Sequence, residues 1–89
     1  MEDNRIRLCI VTADKTVFDE KVSYVNLPTD FGSLGILSGH APMLCALGEG
    51  NVKCNYAEGG GMLIRVSKGI AEVSDNTVTL MVTEAQLLS

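Results

Sequence analysis

Apolar residues in this chain recur at every second position, and that period commits most of it to strands with one covered face. In Arg5 to Val11, Ile6, Leu8 and Ile10 share one face while Arg5, Arg7 and Cys9 share the other. Ala13 to Thr16 reads as a turn, followed by Val17, Phe18 and a second strand from about Glu20 to Leu27, closed by Pro28. Asn51 to Tyr56 alternates Val52, Cys54 and Tyr56, and Glu58 to Gly61 turns the chain into Met62 to Ser67. Lys68 and Gly69 then precede Ile70 to Ser74, and Asp75-Asn76 sits before Thr77 to Val82 as a two-residue hairpin turn. Only Ala41 to Leu47 and the tail Glu84 to Leu88 have any helical look, and both are too short for a standalone helix. Short strands separated by turn signals predict an all-β fold, a flattened antiparallel sandwich or barrel of two packed sheets.

The segment Asp30 to Leu47 departs from that pattern. Gly32, Gly35, Gly39 and Pro42 mark irregular backbone, so neither a helix nor a long strand is expected to cross it. Yet Leu34, Ile36, Leu37, Met43 and Leu44 are too apolar for a solvated loop. Some of them fill the core, and the rest form an exposed apolar patch of the kind that marks an interface.

At 89 residues the chain has length for one domain and one modest core, not for a core plus a deep catalytic cleft. Its formal charge of -4, with seven scattered basic residues, argues against a nucleic-acid partner. No apolar run reaches the roughly 20 residues of a membrane span, and the start MEDNRIR is unlike a signal peptide, so a soluble intracellular protein is expected. Cys9, Cys45 and Cys54 cannot all pair, lack C-x-x-C spacing, and read as reduced thiols packed on strands. With one histidine and no cluster of soft ligands, neither a metal nor another cofactor is expected.

The run GSLGILSGHAPML, the later run SKGIAEVSDNTVTLMVTEA and the opening RLCIVTADKTVFDEKVSYVNLPTDFG closely resemble the epsilon subunit of F-type ATP synthases. That family has a pattern close to G-x-L-G-I-L-x-G-H-A-P-L-L, then G-G-x-x-E-V-x-x-N-x-V-x-x-L. The likeness covers nearly the whole chain. Departures are Ser33 where an acid is common, Ser38 where proline is common, and Lys68 for the first of two glycines.

The resemblance implies a β-sandwich domain over 1–83, with 84–89 beginning the junction to a helical hairpin that the chain does not reach. It implies a non-catalytic central-stalk component that binds the gamma subunit and the ring of c subunits, coupling proton translocation to ATP synthesis. Residues implied at gamma are Thr12, His40 and Cys45; those implied at the c ring are Phe31, Gly32, Ser33 and Leu34, with Ala41 and Pro42. The implied place is the cytoplasmic face of the bacterial plasma membrane or the equivalent organelle membrane, held there only through the complex. Because family members sense nucleotide and inhibit hydrolysis through the helical hairpin, neither property is expected here. The sequence also lacks G-x-x-x-x-G-K-[ST].

Other readings of single residues are weaker. His40 lacks a Ser or Cys partner in a recognisable catalytic motif. Asp19, Glu20 and Asp75 read as solvated carboxylates, and Gly32, Gly35 and Gly39 lack the order of a phosphate-binding fingerprint. A lipoyl or biotinyl carrier domain, modified at Lys15 in the ADK turn, is the alternative of another class; a small enzyme is a third and poorer one.

Overall fold

The computed structural model describes residues 4–89, and its ten strands form two sheets. They are β1 (Ile6–Val11), β2 (Thr16–Val22), β3 (Tyr24–Thr29), β4 (Gly32–Leu37), β5 (Met43–Leu47), β6 (Gly50–Asn55), β7 (Gly61–Val66), β8 (Gly69–Ser74), β9 (Thr77–Val82) and β10 (Ala85–Leu87). The first sheet has the order β2-β1-β9-β8-β5 and the second β10-β7-β6-β3-β4. Every pairing is antiparallel except β1 with β9, which run parallel. This is the all-β sandwich that the period-two pattern predicts, with one parallel pair at the centre of the first sheet.

The core is the inward half of each alternation. Ile6, Leu8 and Ile10 from β1, Val78 and Leu80 from β9, Val52 and Cys54 from β6, and Ile64 and Val66 from β7 are all buried. Each such aliphatic side chain contributes about 1.5–3 kcal/mol by leaving water. Among the described residues no polar side chain is buried.

Four local expectations are corrected. The strand expected over Glu20 to Leu27 breaks at Ser23, whose N–H donates to the Asn55 carbonyl at 2.8 Å. Val22 and Val25 are both fully buried, yet they are three residues apart, so one flat strand would turn one of them outward. The chain satisfies both by passing from the first sheet to the second at Ser23. Pro28 does not close a strand but lies within β3, opposite Ser33. Pairing of β3 with β6 covers only Tyr24 to Asn26, so the proline falls beyond that ladder, where its carbonyl accepts from the Gly48 amide at 2.9 Å and its missing N–H costs no strand-pairing bond to β6.

The stretch Ala41 to Leu47 yields β5, not a helical turn, because Met43, Cys45 and Leu47 pair with β8 along the core face. Likewise Glu84 to Leu88 holds β10, paired with β7. The glycine-rich segment thus contains two strands, β4 and β5, each an edge strand of its own sheet. Gly35 lies inside β4 because a side chain there would meet the Tyr24 hydroxyl at 2.7 Å; Asn26 Nδ2 donates to that same hydroxyl at 3.2 Å.

Candidate docking surfaces

The strand register gathers apolar residues on the outer face of the first sheet. Ala46 lies opposite Ile70, Ile70 opposite Met81, and Met81 opposite Val11, forming one line across four strands. Ile70 is 48% exposed and Met81 40%. The next line holds Leu44, Glu72, Thr79, Cys9 and Asp19, with Leu44 70% exposed at the β5 edge. Farther along, Ser74, Thr77, Arg7 and Lys21 make a polar line. One face therefore grades from apolar to polar along its strands. Beside the apolar line, Val11, Ala13, Ile70, Met81 and Val82 line a shallow depression of about 420 Å³.

The outer face of the second sheet is chemically different. Asn26, Asn51, Lys53, Asn55 and Arg65 point outward there, in the phase opposite to the buried Val25, Val52, Cys54 and Ile64. Arg65 lies 3.6 Å from Glu49. Leu37, Tyr24 and Leu63 are also outward on this second sheet, but Asn55 and Lys53 interrupt their cross-strand lines, so the continuous apolar line is on the first sheet.

Thr12 ends β1 at the apolar end of that face and organises the next turn. Its N–H donates to the Lys15 carbonyl at 2.9 Å, and its hydroxyl accepts from the Asp14 and Lys15 amides at 3.3 Å. His40 lies in the corner between β4 and β5, at the opposite end of the sandwich, with Nδ1 2.7 Å from the Ala41 carbonyl. Cys45 is on β5, but its side chain packs inward with Leu34 and Met43. Thr12, His40 and Cys45 therefore all belong to the first sheet or its connections without forming one cluster.

Phe31, Gly32, Ser33 and Leu34 form the tip of the β3–β4 hairpin and the start of β4. Thr29 orders the turn, its hydroxyl donating to the Gly32 carbonyl and accepting from the Phe31 amide at 3.2 Å. Gly32 takes φ +113°, a backbone state that suits glycine. The Phe31 ring is fully exposed at the apex. Beside it Ser33, Leu34, Met43, Cys45 and Ala46 line a slot of about 350 Å³. Ala41 and Pro42 lie in the corner at the other end of β4, whose six residues span roughly 20 Å.

Charge plays a minor part on these surfaces. Arg7 grips Asp19 with two hydrogen bonds of 2.6 and 2.7 Å, which hold the Asp19 carboxyl below its ordinary value and raise the Arg7 guanidinium. Both groups are open to solvent, where such pairs contribute little to stability. Burial pushes the Cys54 thiol up, away from the reactive thiolate. Among the described residues no three His, Cys, Asp or Glu side chains gather as a metal site.

Sequence reasoning missed the line Ala46, Ile70, Met81 and Val11. A signal for it existed: Ile70 and Met81 are apolar residues in the polar phase of otherwise alternating strands.

Comparison with known proteins adds relatives to this geometry. Residues 5–87 match the ATP synthase Delta/Epsilon chain β-sandwich domain family. An ATP synthase epsilon chain from a Synechococcus strain is 44% identical over 77 residues, covering 86% of this chain and 56% of that protein. The epsilon chain of Lawsonia intracellularis is 39% identical over 88 residues, covering 98% and 65%. The chain thus spans somewhat over half the length of these curated relatives. A chain of the Euglena gracilis mitochondrial ATP synthase, from a cryo-EM structure of OSCP, F1 and c-ring, superposes with a TM-score of 0.88 at 26% identity, covering 96% of this chain and 54% of that one.

Proposed function

The chain belongs to the ATP synthase delta/epsilon-chain β-sandwich family, and on that premise we propose that it is a non-catalytic coupling piece of the central stalk. In this reading the outer face of the first sheet docks against the gamma subunit, and the β3–β4 tip rests on the ring of c subunits. Rotation driven by ion flow is thereby passed to the catalytic subunits. The chain is held at the membrane through the complex, on the cytoplasmic face in a bacterium.

The observation that carries the reading is the apolar line Ala46, Ile70, Met81 and Val11 on an otherwise solvated sheet. A sheet face of this kind gains by being covered. Thr12 adjoins the line at Val11, whereas His40 lies beyond the polar end of the same sheet and Cys45 turns toward the core, so Thr12 is the implied gamma residue that borders the apolar line. Phe31, Gly32, Ser33 and Leu34 sit on the other sheet's hairpin, which leaves them for a second partner. The family match over 83 consecutive positions sets aside the carrier-domain alternative, and unmodified intact mass at Lys15 is its direct check.

The test is reconstitution. Purified gamma subunit is titrated with the chain by calorimetry, and a rotor complex lacking epsilon is supplemented with it. Saturable binding to gamma and recovered ATP-driven proton pumping are expected. Absence of gamma binding at tens of micromolar would refute the reading.

A further inference from the structure

The corner between β4 and β5 carries Ser38, Gly39, His40, Ala41 and Pro42 from one sheet to the other. Its own backbone supplies a bond from the His40 amide to the Leu37 carbonyl, at 3.2 Å. A second tie comes from a residue 37 positions away. Asn76 Oδ1 accepts from the Gly39 amide at 2.8 Å, and Asn76 Nδ2 donates to Ser38 Oγ at 3.1 Å. The Gly39 donor fixes which end of the side-chain amide is oxygen, so the two bonds specify one orientation. The backbone carbonyl of Asn76 also accepts from the Arg7 amide at 2.9 Å.

Asn76 is therefore more than a turn residue. As the second residue of the Asp75-Asn76 hairpin it takes φ +57°, for which glycine serves equally well. Glycine has no side chain to reach the corner. The surplus function of the amide is to join the β8–β9 turn to the β4–β5 corner, while its backbone holds the start of β1.

We propose that Asn76 is a positioning residue whose side chain staples the β4–β5 corner, setting where His40, Ala41 and Pro42 stand relative to the gamma-docking sheet. The docking half of this inference rests on the central-stalk reading above; the stapling half does not. Without the staple, the corner keeps its sequence but samples several positions, and the partner must select one of them. Apparent affinity then falls by the fraction of time the binding geometry is populated.

Asn76→Gly keeps the turn and removes the staple. Asn76→Asp keeps an acceptor for Gly39, and the Ser38 hydroxyl can rotate to donate to the new carboxylate. In Asn76→Gly we expect Gly39 amide exchange, followed by NMR, to rise about tenfold, and gamma affinity to fall by about fivefold or more. Asn76→Asp should return both to within about threefold of the parent.

Unchanged Gly39 exchange in Asn76→Gly overturns the staple, and that measurement needs no partner. Faster exchange with unchanged gamma affinity overturns the docking half. Failure of the parent chain itself to bind gamma instead overturns the central-stalk reading, while the exchange data still decide the staple. A melting temperature of Asn76→Gly within a few degrees of the parent separates positioning from general loss of fold.

Discussion

Leu44→Ala tests the docking face most directly, because Leu44 is 70% exposed and contributes little to the folded chain alone. Full burial of a leucine side chain is worth about 1.5–3 kcal/mol, so roughly 1–2 kcal/mol remains for a partner to gain at this position. Truncation should therefore weaken gamma binding by about 5- to 30-fold. Folding stability should change by less than about 1 kcal/mol, a shift of at most a few degrees in melting temperature. Leu37→Ala is the matched control: the same residue type, 60% exposed, on the outer face of the second sheet. Calorimetric titration of gamma with both variants, beside thermal melts, reads the two effects separately. If Leu44→Ala leaves the dissociation constant within about twofold of the parent, the first sheet's outer face is not the docking surface. Equal weakening by Leu44→Ala and Leu37→Ala refutes the choice of face.

Three further outcomes are expected. Gly35→Ala should destabilise the chain by about 1 kcal/mol in urea unfolding, although alanine is ordinarily the better strand residue, because its methyl displaces the Tyr24 hydroxyl from Asn26. Phe31→Ser should reduce association with the c ring while leaving gamma binding unchanged; since the tip offers an aromatic ring and Ser33 rather than an acid, parent binding should fall little between low and physiological salt, and a steep loss would contradict an apolar contact. Native Cys54 should alkylate more slowly than Cys9 or Cys45 near pH 8; burial raises its folded pKa above the unfolded one, so its contribution to stability is complete below the ordinary thiol range and is lost as pH rises through the raised value.

The sequence carries the sandwich because alternation is a local signal, and strands such as β1, β8 and β9 alternate cleanly. Asp75-Asn76 was equally readable, since both residues hold positive φ as a two-residue turn demands. The sheet change at Ser23 was less so. It is encoded only in the phase shift between Val22 and Val25, which looks like a continuous β-rich run until burial of both is known. β5 and β10 read as helix-like because MLCAL and AQL have no β-branched residues; pairing with β8 and β7 overrides that propensity. For the docking surfaces, Leu37 and Leu44 were visible as apolar residues amid turn signals, whereas Phe31 came only from the family resemblance. The line through Val11 and Met81 required the β1–β9 register, a contact between residues 70 positions apart that no local pattern contains.

That same β1–β9 pairing has a kinetic consequence. β1 is synthesised before β9 and can form a hairpin with β2, but its other side stays unpaired until β9 has been made. The centre of the first sheet therefore closes between residues 70 positions apart, and such long loops slow the search for native contacts. The second sheet, through β3, β4, β6 and β7, closes over shorter separations. A ribosome paused before Thr77 would leave β1 and β8 each with a side awaiting the same missing strand.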